Sequence, residues 1–180
     1  MITIISSTDR QDGLTHVLAQ HYFEEIKKKT DKPVRLFSLE DLPSNLYGKD
    51  MYKKETISSE FQSLEDELLI PTEKFIFIIP EYNGSFPGIL KLFVDAASVR
   101  SKMAIFRGKK AALVGVATGR AGNIRGLEHF TSILMFMGVS VLPNLLPLSG
   151  FNKLLDSEQN IIDEGAKKGI NMQISQLLMF

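Results

Sequence analysis

Five consecutive apolar residues, Phe75 to Ile79, end at Pro80 and are followed at once by a loop rich in Gly, Pro and Asn. Their β-branched and aromatic side chains are typical of a strand buried on both faces of a sheet. Proline has no N–H to donate to a further rung of the ladder, so we expect the strand to end there. Apolar residues at helical spacing predict a helix after the loop: Ile89, Leu90, Phe93 and Ala97.

Apolar runs alternate with helical patterns along the whole chain. Strands are predicted at Ile2 to Ile5, Pro33 to Leu39, Phe75 to Ile79, Ala111 to Val116 and Val139 to Leu142. Helical patterns separate most of them, and a last helix is predicted from Ile162 to Leu178. This alternation predicts one α/β domain over residues 1–180, a doubly wound parallel sheet of five strands in the order 2-1-3-4-5, covered by helices on both faces.

Composition excludes several classes of protein. Lys plus Arg balances Asp plus Glu at 21 each, whereas a nucleic-acid-binding protein needs a basic excess. The chain has no Cys and no signal-type amino terminus, which favours the cytoplasm. No apolar run approaches the roughly 20 residues that span a bilayer. His16 and His21 lack the spacing of a helical ligand pair, and His129 lacks an acidic or sulfur companion at a spacing typical of metal sites, so no metal site is expected.

Three polar loops follow predicted strands 1, 3 and 4, whose carboxyl ends meet where the winding of the sheet reverses. The first loop runs from Ser6 to Gly13 into a helix. Its hydroxyls, its Arg and the free N–H groups of the helix form an anion cradle in one interpretation. In the other, Ser7, Thr8 or Asp12 only caps the helix.

The loop from Pro80 to Gly88 has the polar edge and apolar face that a flat heterocycle requires. The alternative is a plain turn in which Asn83 or Ser85 caps the next helix. Glu81 is interpreted either as a general base or, as a lone carboxylate, as a hydrogen-bonding or interface residue.

In the third loop, Ala117 to Gly122, the glycines are interpreted as allowing either the close approach of a ring or a tight turn. Arg120 and Arg125 are predicted to contact either a cofactor phosphate or only solvent. We expect a basic cluster on the exposed connection before strand 4, with a dinucleotide phosphate site as the alternative: Arg100, Lys102, Arg107, Lys109 and Lys110. Because no reactive side chain stands out, the sequence favours chemistry carried by a cofactor.

The run from Pro80 to Lys91 resembles the signature of the NAD(P)H-dependent FMN reductase family, a flavodoxin-like group that includes quinone, azo-dye and chromate reductases. The resemblance spans nearly the whole chain. It implies a flavodoxin-like fold, bound FMN as cofactor and NADPH or NADH as co-substrate.

The resemblance also implies roles for residues in the three loops. The FMN phosphate would be held by Ser7, Thr8, Arg10, Gly13, Leu14 and Thr15. The isoalloxazine ring would be lined by Pro80, Glu81, Tyr82, Asn83, Gly84 and Ser85, with its opposite end at Thr118, Gly119 and Arg120. Ser7 replaces the leading Gly of the family pattern and Gly13 replaces a later Ser. A lost hydroxyl removes roughly 1.5–3 kcal/mol of phosphate binding, so weak retention of FMN is expected.

The family mechanism passes hydride from NAD(P)H through flavin N5 to a small acceptor such as free flavin, a quinone, an azo compound or a metal oxyanion. It requires no catalytic side chain. Family members are commonly dimers or tetramers, so a homo-oligomer is expected, with Tyr47, Met51 and Tyr52 as an interface or ring cover. The alternatives are a flavodoxin-type electron carrier, which the zero net charge disfavours, and an FMN-binding module without turnover, which the altered first loop keeps open.

Overall fold

The computed structural model describes residues 1–11, 13–46 and 48–180. Its strands are β1 (Ile2–Ser6), β2 (Val34–Ser38), β3 (Lys74–Pro80), β4 (Lys110–Val116), β5 (Ser140–Val141) and β6 (Leu146–Leu148). Its helices are α1 (Leu14–Lys27), α2 (Ser59–Leu64), α3 (Gly88–Ile105), α4 (Ile124–Phe136) and α5 (Glu164–Met179). Helix α2 continues as a π-helical turn over Glu65–Leu69, and short 3₁₀ turns lie at Leu39–Asp41, Lys54–Thr56 and Phe151–Lys153.

The sheet has the predicted order, β2-β1-β3-β4-β5, and all its pairs are parallel. Ser6 at the end of β1 lies beside Ile78, and Pro80 at the end of β3 lies beside Val116 at the end of β4. The carboxyl ends of these strands therefore share one edge. This flavodoxin-like arrangement confirms the fold predicted from the sequence.

Strand β3 is buried on both faces, as its apolar run predicts. Phe75, Phe77 and Ile79 pack into one hydrophobic cluster with α2, α3 and α4. Ile76 and Ile78 point the other way, into a second cluster with α1 and α5. The alternation places helices on both sides of the sheet. Within the described residues, every helix is too short or too polar to cross a membrane.

The predicted fifth strand, Val139 to Leu142, is wrong in its extent. Two short strands occupy that edge: β5 pairs with Lys110 and Ala111, and β6 pairs with the last residues of β4. From Ala111 to Val114 strand β4 advances three residues, whereas its partner advances five, from Val141 to Leu146. The extra residues bulge out of the ladder, and they include Pro143, which has no N–H to pair.

A buried glutamine side chain bridges this break in the ladder. Gln173 of α5 is fully buried, and its Nε2 donates to the carbonyl oxygens of Leu113 (3.1 Å) and Asn144 (2.8 Å). Its Oε1 accepts a hydrogen bond from the Tyr22 hydroxyl at 2.8 Å. Burial raises the pKa of that Tyr22 hydroxyl, so it is a neutral donor at physiological pH.

The prediction of one solvated basic cluster before strand 4 is wrong. Arg100 and Lys102 lie within α3, and Lys110 is the first residue of β4. The Nε of Arg100 donates to Glu65 Oε2 at 2.5 Å, and its guanidinium also contacts Asp66. Burial raises the pKa of Glu65, against the opposing effect of Arg100. The Arg100 charge is thus used to hold the π-helical turn on α3.

Replacing Gln173 with Leu removes the partner of three polar groups, of which two are buried and one is partly buried. We expect Gln173→Leu to lower the free energy of unfolding by about 2–4 kcal/mol, because each orphaned group retains its desolvation cost. Urea denaturation measures the change. Gln20, which is exposed and donates to Glu24 within α1, is the matched control. Its replacement by Leu is expected to change stability by less than about 0.5 kcal/mol, and an equal effect of both changes would contradict the bridging role.

Candidate functional site

A cavity of about 620 Å³ opens where the loops after β1, β3 and β4 meet. It lies beyond the carboxyl ends of the parallel strands, which is where open α/β sheets bind ligands. Twelve of the fifteen predicted site residues line it: Thr8, Arg10, Gly13, Leu14, Thr15, Pro80, Glu81, Tyr82, Asn83, Gly84, Thr118 and Gly119. Val116 and Ala117 also line it; the sequence analysis assigned Val116 to strand 4 and Ala117 to the third loop, but named neither as a cofactor-binding residue.

The first loop leads into the amino terminus of α1, which faces the cavity. Gly13 is the N-cap residue, and among the described residues no side chain caps the helix. The capping interpretation is therefore wrong for Ser7 and Thr8; Asp12 lies outside the described residues. Because the first N–H groups of a helix have no intrahelical acceptor, they remain available to an anion in the cavity beside Arg10.

Ser7, predicted as part of the cradle, is not among the residues that line the cavity. The residue is fully buried, and its N–H donates to the Ile78 carbonyl oxygen at 2.9 Å, so the ladder continues past the end of β1. Its Oγ donates to the Ile5 carbonyl oxygen at 3.3 Å. The side chain that replaces the family's Gly thus points into the protein and leaves the cavity clear.

The second loop turns tightly at Asn83 and Gly84, whose φ angles are 52° and 79°. Tyr82 N–H donates to the Ser85 carbonyl oxygen (2.9 Å) and Ser85 N–H to the Tyr82 carbonyl oxygen (3.1 Å). Two positive φ angles in a closed four-residue turn are the type I′ geometry, which Asn-Gly favours. The turn presents Tyr82, Asn83 and Gly84 to the cavity and directs Ser85 away from it.

Ser85 is held on the outer side of this turn. Its Oγ lies 3.1 Å from His129 Nδ1 of α4, and it does not line the cavity. Neither Ser85 nor Asn83 caps the following helix, since Pro87 is the N-cap residue of α3 and no described side chain bonds to that end. The plain-turn alternative is therefore wrong about capping.

In the third loop the two glycines have different tasks. A Cβ on Gly122, whose φ is 56°, would lie within 2.9 Å of the backbone of Pro147 and Leu148, so Gly122 allows the loop to pack against β6. Gly119 faces open space in the cavity. Arg120 is exposed and does not line the cavity; its carbonyl oxygen accepts a hydrogen bond from Ser149 Oγ at 2.6 Å.

Asn123 directly follows the third loop and connects it to the start of the second loop. The sequence analysis did not identify this residue. It is almost fully buried, and its Nδ2 donates to the carbonyl oxygens of Ile79 (3.1 Å) and Pro80 (2.9 Å) at the end of β3. Its own backbone is left-handed, with φ 63° and ψ 28°. A Gly-Asn pair directly before a helical pattern is the sequence signal that predicts such a residue.

The segment around Met51 and Tyr52 lies apart from this cavity. Met51 lines a separate cavity of about 200 Å³ beside Phe61 and Ala96, and Tyr52 is exposed. Tyr47, predicted with them as an interface or ring cover, lies outside the described residues. Among the described residues no group of His, Asp and Glu side chains is placed to hold a metal ion.

Asn123→Gly tests the two hydrogen bonds of the Asn123 amide, because Gly tolerates the left-handed backbone and the substitution removes only the side chain. We expect it to lower the free energy of unfolding by about 1–3 kcal/mol, because one buried and one partly buried carbonyl oxygen lose their donor. Asn83→Gly is the matched control: it also has a positive φ but is exposed, so a change within about 0.5 kcal/mol is expected. Both are measured by urea denaturation, and equal losses would show that the Asn123 amide contributes nothing specific.

A family model described as NADPH-dependent FMN reductase matches residues 1–153. An NAD(P)H-dependent FMN reductase of Pseudomonas aeruginosa is 32% identical over 116 residues, which are 63% of this chain. The chain spans less than two thirds of the length of these relatives: 62% of that protein, and 51%, 58% and 55% of three others.

Solved structures share the fold over the full chain. The flavoenzyme NAD(P)H:(acceptor) oxidoreductase FerB from Paracoccus denitrificans superposes with a TM-score of 0.76 at 20% identity, covering 99% of this chain and 94% of that one. An FMN-dependent NADH-azoreductase from Bacillus anthracis, solved in complex with FMN, has a TM-score of 0.63 at 15% identity and 98% coverage of both chains. At these identities the similarity concerns the fold.

Proposed function

Because the chain belongs to the NADPH-dependent FMN reductase family, we propose that it is an FMN-dependent oxidoreductase that takes hydride from NADPH or NADH and passes it to a small acceptor. The observation that carries the proposal is the convergence of three loops on one cavity of about 620 Å³. A cavity of that size is within the range of about 300–1,000 Å³ that small-molecule and cofactor sites occupy.

The donors at the α1 end of the cavity suit the phosphate of FMN. The uncapped helix amino terminus, Arg10, and the hydroxyls of Thr8 and Thr15 all border the cavity. Main-chain N–H groups at a helix start and a guanidinium bind dianionic phosphate by charge-assisted hydrogen bonds. These groups would hold the phosphate, whereas Ser7, whose hydroxyl is engaged with Ile5, would not.

The other end of the cavity suits a flat ring. The type I′ turn presents Tyr82 together with the backbone of Asn83 and Gly84, and a Cβ added to Gly84 or Gly119 would meet nothing within 4 Å. Backbone N–H and C=O groups of the second and third loops would pair with the polar edge of the isoalloxazine. Val116 and Ala117, which also line the cavity, would supply apolar contacts to the ring.

Bound FMN would supply hydride transfer at its N5, and the chain itself needs no acid, base or nucleophile for that chemistry. The loops would hold the ring in one orientation, so that nicotinamide and acceptor could meet it within reach. Fixed N–H dipoles of the same loops would stabilise negative charge on the ring. A cavity open to the surface admits donor and acceptor in turn.

We propose a quinone or another small organic molecule as the acceptor. The support is the kind of protein to which the chain is similar, which includes a 2-hydroxy-1,4-benzoquinone reductase and quinone reductases. A homo-oligomer, with the segment around Met51 and Tyr52 at its interface, and a cytoplasmic location remain predictions of this proposal.

The decisive experiment adds FMN to the purified protein and then NADPH or NADH without oxygen. Loss of the visible absorbance of oxidised flavin, followed by its return on addition of a quinone, is the expected result. FMN bound but not bleached by either nucleotide would favour the flavodoxin-type carrier or the module without turnover. Absence of FMN binding at high concentration would overturn the proposal.

Gly13→Ser restores the hydroxyl that the family pattern has at this position. Gly13 has ordinary backbone angles (φ −82°, ψ 152°), and a Cβ there would meet its nearest neighbour at 3.6 Å, so the side chain fits. We expect FMN to bind about tenfold more tightly, since a hydrogen bond to a charged group contributes roughly 1.5–3 kcal/mol. Titration of FMN and riboflavin measures it. Tighter binding of both flavins alike would show that the hydroxyl does not reach the phosphate.

A further inference from the structure

One hydrogen bond crosses directly between the first and second loops. Tyr82 Oη and Thr8 Oγ1 lie 2.7 Å apart, and both residues line the cavity. Thr8 is 2% exposed, so its hydroxyl has a fixed environment. Sequence reasoning placed Tyr82 beside the ring alone, whereas this contact joins it to the loop that faces the phosphate.

The hydrogen-bond partners of the Thr8 hydroxyl determine whether it can still donate or accept a further hydrogen bond. A hydroxyl has one proton to donate and two lone pairs that accept. The backbone N–H of Arg10 donates to Thr8 Oγ1 at 3.2 Å, which occupies one lone pair. A phenol is a much stronger acid than an aliphatic alcohol, so Tyr82 is the better donor of the pair. With Tyr82 donating, both lone pairs of Thr8 are occupied and only its proton is left.

We propose that Tyr82 is a positioning residue that makes the Thr8 hydroxyl a donor only, and thereby gives the cavity its preference for a phosphorylated flavin over one without phosphate. Deprotonated phosphate oxygens accept hydrogen bonds and cannot donate them, so a hydroxyl with no free lone pair matches them. A water molecule or a ligand hydroxyl binds less favourably at this position, because its own protons find no acceptor on the Thr8 oxygen. This inference rests on the proposed function, since it concerns how the same cavity binds FMN.

The neighbouring groups leave this task to few hydroxyls. Ser7 Oγ is engaged with the Ile5 carbonyl oxygen, and Gly13 has no side chain. Thr8 and Thr15 are therefore the hydroxyl-bearing residues of the first loop and helix start that line the cavity. Of the two, Thr8 is bonded to Tyr82. The phosphate end of the site is thus controlled in part by a residue of the ring loop.

The test titrates FMN and riboflavin into flavin-free full-length protein and compares the ratio of their dissociation constants. Tyr82→Phe keeps the ring and removes only the hydroxyl. We expect it to reduce the preference for FMN about five- to tenfold, the effect of one hydrogen bond. Thr8→Val is expected to reduce it at least as much, and the double variant no further than Thr8→Val alone, because both changes remove the same donor.

Two controls accompany these variants. Thr8→Ser retains the hydroxyl and is expected to keep the wild-type ratio. Ser175→Ala removes an exposed hydroxyl from α5, outside the cavity, and is expected to leave the ratio unchanged. Competition by inorganic phosphate provides a second measurement: phosphate should displace FMN from the wild type at lower concentration than from Tyr82→Phe.

Contrary results are distinct from one another. Equal weakening of FMN and riboflavin by Tyr82→Phe would show that Tyr82 contacts the ring alone and would overturn the inference. Additive losses in the double variant would do the same, as would a wild type that binds both flavins equally. A wild type that binds neither flavin would overturn the proposed function and the inference with it.

Discussion

The parallel ladder of β1, β3 and β4, buried on both faces, is the constraint on which the rest of the molecule depends. Because side chains alternate between two separate hydrophobic clusters, a slip of one residue would send every side chain of a strand to the wrong cluster. The register is therefore strongly specified, and the strands end at a common edge. Three loops that are distant in sequence begin side by side for this reason, and the cavity is a consequence of where the ladder stops.

Contacts between the loops then fix their shapes. The Tyr82–Thr8 hydrogen bond joins the first and second loops, Asn123 joins the third to the end of β3, and Gly122 packs against β6. A site already held in shape before its ligand arrives loses less conformational entropy on binding. The lining includes glycines and a proline, Gly13, Pro80, Gly84 and Gly119, so the shape of the site depends on these contacts as well as on the side chains that line it.

The sequence predicts the elements whose signals are local, and it misses those that depend on distant partners. A run such as Phe75 to Ile79 is apolar at every position, which indicates burial on both faces without any knowledge of the neighbours. The fifth strand has no such run: β5 is two residues long, and the following break is bridged by Gln173 from α5. A glutamine in an otherwise amphipathic helix gives no sign of this, because its partners are carbonyl oxygens far away in the chain.

The same reasoning separates the two departures of the first loop from the family pattern. A residue belongs to the first loop because it follows β1. The direction of its side chain depends on where the hydrogen-bonded ladder ends. The ladder continues to the Ser7 N–H, so the Ser7 side chain turns inward to Ile5 and its replacement of Gly costs the site nothing. Gly13, at the open start of α1, removes a hydroxyl from the cavity itself. On the proposed function, weak phosphate binding would therefore trace to Gly13 rather than to both positions.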